Sequence, residues 1–321
     1  MAAAAPPAAG PTTPSDSSPR AGAGPPSGLH IVRFRDVLAE YAAEAEAAHL
    51  ARVAQQPRGP TTGLPTLDKV LGDVLHPGAH FISGAPGTGK TALSLQVAAE
   101  CRAPALFVSC EMGLPELLRR HTARVTGTFL GRLKSGELAP ADAIRLAEQA
   151  IAAAPLLSLL DATREYVSPT RLLGFAQAAR GAGRHLLVCL DSVHAWAAAS
   201  PAPLTEYEGL NAHLGELRRI AAELGCAVLG TVERNRATMA TGGLSAAAST
   251  RKFEYLAETL LGLAVDDQRD TPGPGVSGET PVRITIEKNR SGPAGGSVKV
   301  SFNGALQRFS DREPGPQGGA R

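Results

Sequence analysis

The stretch GAPGTGKT, Gly84 to Thr91, limits what this chain can fold into more than any other part of it. It fits the pattern G-x-x-x-x-G-K-[S/T], with the apolar run HFIS before it and the helical run TALSLQVAAE after it. A strand, a tight turn and a helix in that order wrap backbone N–H groups around phosphate, and the helix N-terminus adds a favourable dipole. The residues assigned to nucleotide binding are Gly84, Ala85, Pro86, Gly87, Thr88, Gly89, Lys90 and Thr91. Lys90 reaches the β- and γ-phosphates, and Thr91 offers its hydroxyl to Mg²⁺. A plain glycine-rich turn would not require the Lys-Thr pair at that point.

The surrounding text alternates short apolar runs with helical stretches. Strands are expected at 80–83, 105–110, 185–190, 227–232 and 259–265, with a closing pair at 282–288 and 297–302. Helices are expected at 90–100, 114–126, 141–153, 169–180 and 207–224. Such alternation predicts an α/β fold: a mainly parallel central sheet flanked by helices, ending in a C-terminal β-hairpin. Residues 1–28 and 313–321 are rich in Ala, Pro, Gly and Ser or Gln and are read as disordered tails. Between them, 29–60 holds one amphipathic helix and a Pro-broken connector, and 61–312 holds the folded domain. Phe34, Leu38, Tyr41, Ala45 and Ala48 share one face of that helix.

Composition serves mainly to exclude. The net charge of +2 announces no global field for nucleic acid. The four cysteines form no CxxC and have no histidine at zinc spacing, so buried reduced thiols are expected. No apolar run approaches the ~18 residues of a membrane span. The N-terminus lacks the basic start and apolar core of a signal peptide. A cytoplasmic protein without a membrane partner is the expectation.

Two acids fall where an open α/β sheet keeps its chemistry. Asp191 ends the apolar run HLLVCLD, the place of the carboxylate that holds Mg²⁺ through water. Glu111 ends ALFVSCE, after the phosphate-loop helix; it either polarises the attacking water or caps a helix at the surface.

Taken together, TGLPTLDKVLG, the phosphate loop, FVSCEM, LKSGELAPAD, LLVCLDS, AAELGCAVLGTVERNR, KFEYLAETLLGL and EKNRSGPAGG…VSFNG…RF resemble the C-terminal ATPase domain of DnaB-like replicative helicases. More distantly they resemble RadA and KaiC. The resemblance covers about Thr61 to Phe309. It implies a RecA-like fold, ATP and Mg²⁺ as ligands, a hexameric ring of identical chains, and possible single-stranded DNA. It also implies that Lys288 and Arg290 act in trans, Arg290 as an arginine finger in the neighbour's site.

The chain departs from the family pattern in several places. No N-terminal collar domain is evident, and the 29–56 helix stands where subunits of the family grip one another; packing on its own domain is the alternative. Glu233 occupies the sensor position usually held by Gln, and a carboxylate cannot donate to a γ-phosphate unless protonated. Ser192, Val193 and His194 follow Asp191 where the family has an aromatic residue, Leu and Gln. His194 is read as structural. The loop expected to face the channel carries Arg234, Arg236 and Arg251 as DNA contacts, without aromatic stacking platforms. Three functions follow from this reading: a motor on single-stranded DNA in replication or repair, which by the family resemblance would be a 5'-3' helicase; a RadA/KaiC-type regulatory or recombination ATPase that does not unwind; or a nucleotide-binding switch.

Overall fold

The computed structural model describes residues 1, 31–233, 253, 255–266 and 278–312. The chain divides into two units, Met1–Leu50 and Ala51–Arg321. A 3-10 turn Phe34–Val37 in the first leads into helix α1, Leu38–Val53, whose last three residues fall in the second. Neither element contains a buried residue; Phe34, Leu38 and Tyr41 of the expected apolar face are exposed.

The second unit is built on one nine-stranded sheet in the order β3-β2-β4-β5-β1-β6-β7-β8-β9. Its strands are β1 (Gly78–Gly84), β2 (Ala105–Ser109), β3 (Leu157–Asp161), β4 (Leu187–Asp191), β5 (Ala227–Glu233), β6 (Thr259–Val265), β7 (Glu279–Asn289), β8 (Ser297–Asn303) and β9 (Arg308–Asp311). Strands β1 to β6 pair in parallel, and β7, β8 and β9 continue the sheet antiparallel. The expected hairpin is β7–β8, and β9 extends it into a meander. The helices of this unit are α2 (Pro65–Leu71), α3 (Lys90–Glu100), α4 (Leu114–Thr126), α5 (Leu130–Ser135), α6 (Pro140–Ala153), α7 (Pro169–Arg180), α8 (Val193–Ala198) and α9 (Glu206–Leu224).

The strand period explains why the central strands read as unbroken apolar runs. Ile82, Phe107, Cys189 and Leu229 join the core shared with α2 and α3. Their neighbours Phe81, Leu106, Val188 and Val228 join the core shared with α7, α8 and α9. Successive side chains point to opposite faces and both faces are covered, so no polar alternation survives. Truncating Phe107, which is fully buried, to Ala would cost about 3–5 kcal/mol. Helix starts are marked locally. Thr205 and Glu208 form a reciprocal capping box that opens α9. Ser192 accepts from the Ala195 N–H and opens α8. Among the described residues, no helix is long and apolar enough to cross a membrane.

Candidate active site

The phosphate loop joins β1 to α3, with Lys90 as the first helical residue and Gly89 as its cap. Gly89 has φ +92°, and a Cβ there would lie 2.8 Å from Phe309 and 3.3 Å from Phe302. Those two rings stack at 4.4 Å, so β8 and β9 brace the loop from behind and only glycine fits. Gln96 of α3 fastens β9 in place: its amide donates to the Phe309 carbonyl (3.0 Å) and accepts from the Phe309 N–H (2.9 Å).

Lys90 Nζ donates to the carbonyls of Gly84 (3.0 Å) and Ala85 (3.1 Å), and the Thr88 hydroxyl donates to Ala85 (2.9 Å). Burial lowers the Lys90 pKa, while Glu233, Asp191 and Glu111 pull it back up. These groups share a cavity of about 390 Å³ lined by Lys90, Thr91, Glu111, Asp191, Thr231 and Glu233, with Arg120, Phe302 and Gln307 on its other wall. Three carboxylates thus share the cavity with the Lys90 ammonium and the Arg120 guanidinium, a net negative lining that a nucleotide's phosphates meet only with a further cation. Asp191 is buried, accepts a 2.5 Å hydrogen bond from Thr231 Oγ1, and is hydrogen-bonded by Thr91. Burial raises its pKa; the two threonine hydrogen bonds oppose the rise, Glu111 adds to it and Lys90 lowers it.

The donor set fits Mg²⁺. A threonine hydroxyl and a carboxylate are hard oxygen ligands, and this ion keeps waters and phosphate oxygens for its remaining positions. Among the described residues, no group of three or more His, Cys, Asp or Glu could hold a metal ion.

Glu111 follows β2 and faces this cavity, where its carboxylate accepts from the Ser192 hydroxyl. Sequence reasoning did not find Ser192 or Thr231 as partners of the two acids. The one available signal was the position of Ser192 directly after a strand-ending aspartate. A second cavity, about 610 Å³, shares Glu111, Ser192 and Glu233 with the first and continues past His194 and Glu206. Burial lowers the pKa of His194.

The remaining predicted residues lie elsewhere. Lys288 and Arg290 close β7, where Lys288 Nζ (3.3 Å) and Arg290 Nη2 (3.0 Å) both donate to the Tyr255 carbonyl. The register fixes how far that is from the phosphate loop. Gly84 pairs with Leu263, whereas Thr259 pairs with His80 and Asn289, four residues back along β1 and β6. At ~3.3 Å per residue this is about 13 Å of strand, at the opposite end of the sheet. Arg234, Arg236 and Arg251 lie outside the described residues.

Comparison with known proteins agrees with this architecture. A family model described as the DnaB-like helicase C terminal domain matches residues 59–311. A structure solved as an ATPase domain superposes with a TM-score of 0.72 at 19% identity, covering 88% of this chain and 100% of that one. A structure described as a DnaB-like replicative helicase and its interactions with primase gives 0.69 at 19% identity, covering 88% of this chain and 68% of that one. A KaiC-like protein from the hyperthermophilic archaeon Pyrococcus horikoshii OT3 gives 0.54 at 17% identity, covering 80% and 99%. No curated protein matches the chain. At these identities the structural likeness establishes the fold, which is RecA-like.

Proposed function

The chain belongs to the DnaB-like helicase C-terminal domain family, and from that premise we propose that it hydrolyses ATP at interfaces between copies of itself. The observation that carries this reading is the convergence of Lys90, Thr91, Glu111 and Asp191 in one cavity at the head of α3. In this reading the loop amides bind the phosphates, and Lys90 exchanges its two carbonyl partners for phosphate oxygens. Thr91 and Asp191 would hold Mg²⁺, which would supply charge neutralisation on the phosphates. Glu111, oriented by Ser192, takes the proton from the attacking water as its oxygen bonds to the γ-phosphorus. The bond from that phosphorus to the bridging oxygen breaks, and ADP and phosphate leave.

Arg290 serves a second copy. The strand register supports this, because about 13 Å of strand separates Arg290 from its own phosphate loop. A heterologous interface of that kind closes into a ring or runs on as a filament; we take a hexameric ring. The exposed Phe34 of the 3-10 turn, with Leu38 and Tyr41 of α1, suits a grip on a neighbouring copy. Single-stranded DNA in the channel, bound through Arg234, Arg236 and Arg251, completes the proposal.

The experiment is steady-state ATP hydrolysis with and without single-stranded DNA over a salt series. Stimulation that fades with salt supports the DNA motor, and neutralising the three arginines should flatten the salt slope. Hydrolysis indifferent to DNA favours the second reading, a regulatory ATPase that does not unwind. Glu233 speaks for that alternative, since a carboxylate in the γ-phosphate cavity cannot donate to the phosphate.

A further inference from the structure

The last turn of chain before β6 is built as a seat for Arg290. Phe253 is buried with its ring against Phe81 of β1 at 5.2 Å, and Ala257, fully buried, donates its N–H to the Phe253 carbonyl (2.9 Å). Glu258 N–H then donates to Ala79 of β1 (2.7 Å), which pins this segment to the sheet core. The side chain of Glu258 lies over Gly78, where φ is +141° and a Cβ would collide with Glu258 Cγ.

Four interactions run from this anchored segment to the end of β7. The Arg290 N–H donates to the Glu258 carbonyl (2.9 Å), and Arg290 Nη1 lies 3.5 Å from Glu258 Oε1. Arg290 Nη2 and Lys288 Nζ both donate to the Tyr255 carbonyl. The Arg290 side chain nevertheless remains 41% exposed. A guanidinium carries five N–H donors in a fixed fork, so two can be held by the chain while others stay open to a phosphate.

Resting on the reading of Arg290 as a finger acting in trans, we infer that Glu258 is a positioning residue for the neighbouring copy's active site. It holds the guanidinium in one orientation before the interface forms. Ordering a long, flexible arginine at the moment of reaction would otherwise be charged against the barrier, and rigid elements hold such groups best. As a partly exposed ion pair, the contact itself adds little to stability. Loss of Glu258 is therefore expected in turnover and not in folding.

The test uses the full chain and measures ATP hydrolysis of variants singly and mixed, with thermal melting as a control. Glu258→Ala should lower kcat about 10–100-fold with KM for ATP nearly unchanged. Glu258→Gln, which keeps the side chain over Gly78, should lose less and carries the test if the alanine variant does not fold. In an Arg290→Ala background neither substitution should reduce activity further. Mixing Glu258→Ala with Lys90→Ala should restore activity, since Lys90→Ala chains lend sound fingers to sound phosphate loops. Mixing Glu258→Ala with Arg290→Ala should restore none. An additive loss, a raised KM, failure of the first mixture, or recovery in the second would each overturn the seat. Normal turnover in Arg290→Ala would instead overturn the finger, so the two failures are told apart.

Discussion

The two ends of the sheet handle charge in opposite ways. At the head of β1, β2, β4 and β5, Asp191 is buried, Lys90 is half-buried, and both pKa values are moved by desolvation. At the far end, Arg290 lies exposed just past β7; its guanidinium and the Lys288 ammonium donate to the Tyr255 carbonyl, and the Glu258 carboxylate lies beside Arg290. The first arrangement gathers its charged groups around one cavity. The second holds two cations against Tyr255 and Glu258, about 13 Å of strand away from the phosphate loop. On the proposed reading, that difference, and not the presence of a basic pair, is what a trans finger requires and a solvated hairpin tip does not.

The comparison breaks most directly at the phosphate-loop end. Lys90→Ala should abolish hydrolysis and greatly weaken ATP binding; turnover near the wild-type level would remove the loop from the site. Arg290→Ala should lower turnover by about 10³–10⁵ while ATP binding, measured by equilibrium titration, persists. Loss of binding there would mean that the far end supports its own fold instead of a neighbour. Glu111→Gln should lower turnover roughly 10²–10⁴ with binding retained. If binding weakens and turnover holds, Glu111 is structural.

The smallest effect expected is one of pH on stability. Burial drives the pKa of His80, in the first half of β1, and of His121, on α4, down to about 4. His80 donates to the His76 carbonyl, and His121 donates to Ala150 while accepting from Arg124, all of which fit neutral rings. With folded pKa values below the unfolded 6.5, the unfolded chain binds more protons as pH falls from 6.5 towards 4. Stability is therefore full above pH 6.5 and is lost through that window, up to about 3 kcal/mol per histidine. Asp68 and Asp191, whose pKa values burial raises, work in the opposite sense. The melting temperature should fall by several degrees between pH 7.5 and pH 5, and His121→Gln should reduce that fall. A melting temperature flat across the window would mean that the histidines are not buried neutral.

What could be read from the sequence follows the same physical division. Strands β1, β2, β4, β5 and β6 were legible because burial on both faces leaves a continuous apolar run. Strand β3 was not: it is the sheet's edge, and Ser158 and Leu159 are exposed, so its text resembles a loop. Helix α2 has only seven residues and β9 only four, too short for a period to register. The phosphate loop was legible since its chemistry is contained in eight consecutive positions. Ser192 meets Glu111 across 81 residues, and Thr231 meets Asp191 across 40. Such partnerships depend on strand order and register, which no local pattern encodes. Glu258 was hidden for the same reason, because its partner lies on a different strand.

The central claim is that a working site is assembled from the head of one chain's sheet and the far end of another's. Mixing Arg290→Ala chains with Lys90→Ala chains tests it most directly. Each variant alone should be nearly inactive. Together they should recover hydrolysis, because some interfaces then pair a sound phosphate loop with a sound finger, and activity per chain should rise with protein concentration. No recovery from the mixture, or an Arg290→Ala chain that hydrolyses ATP normally at every concentration, would contradict the account.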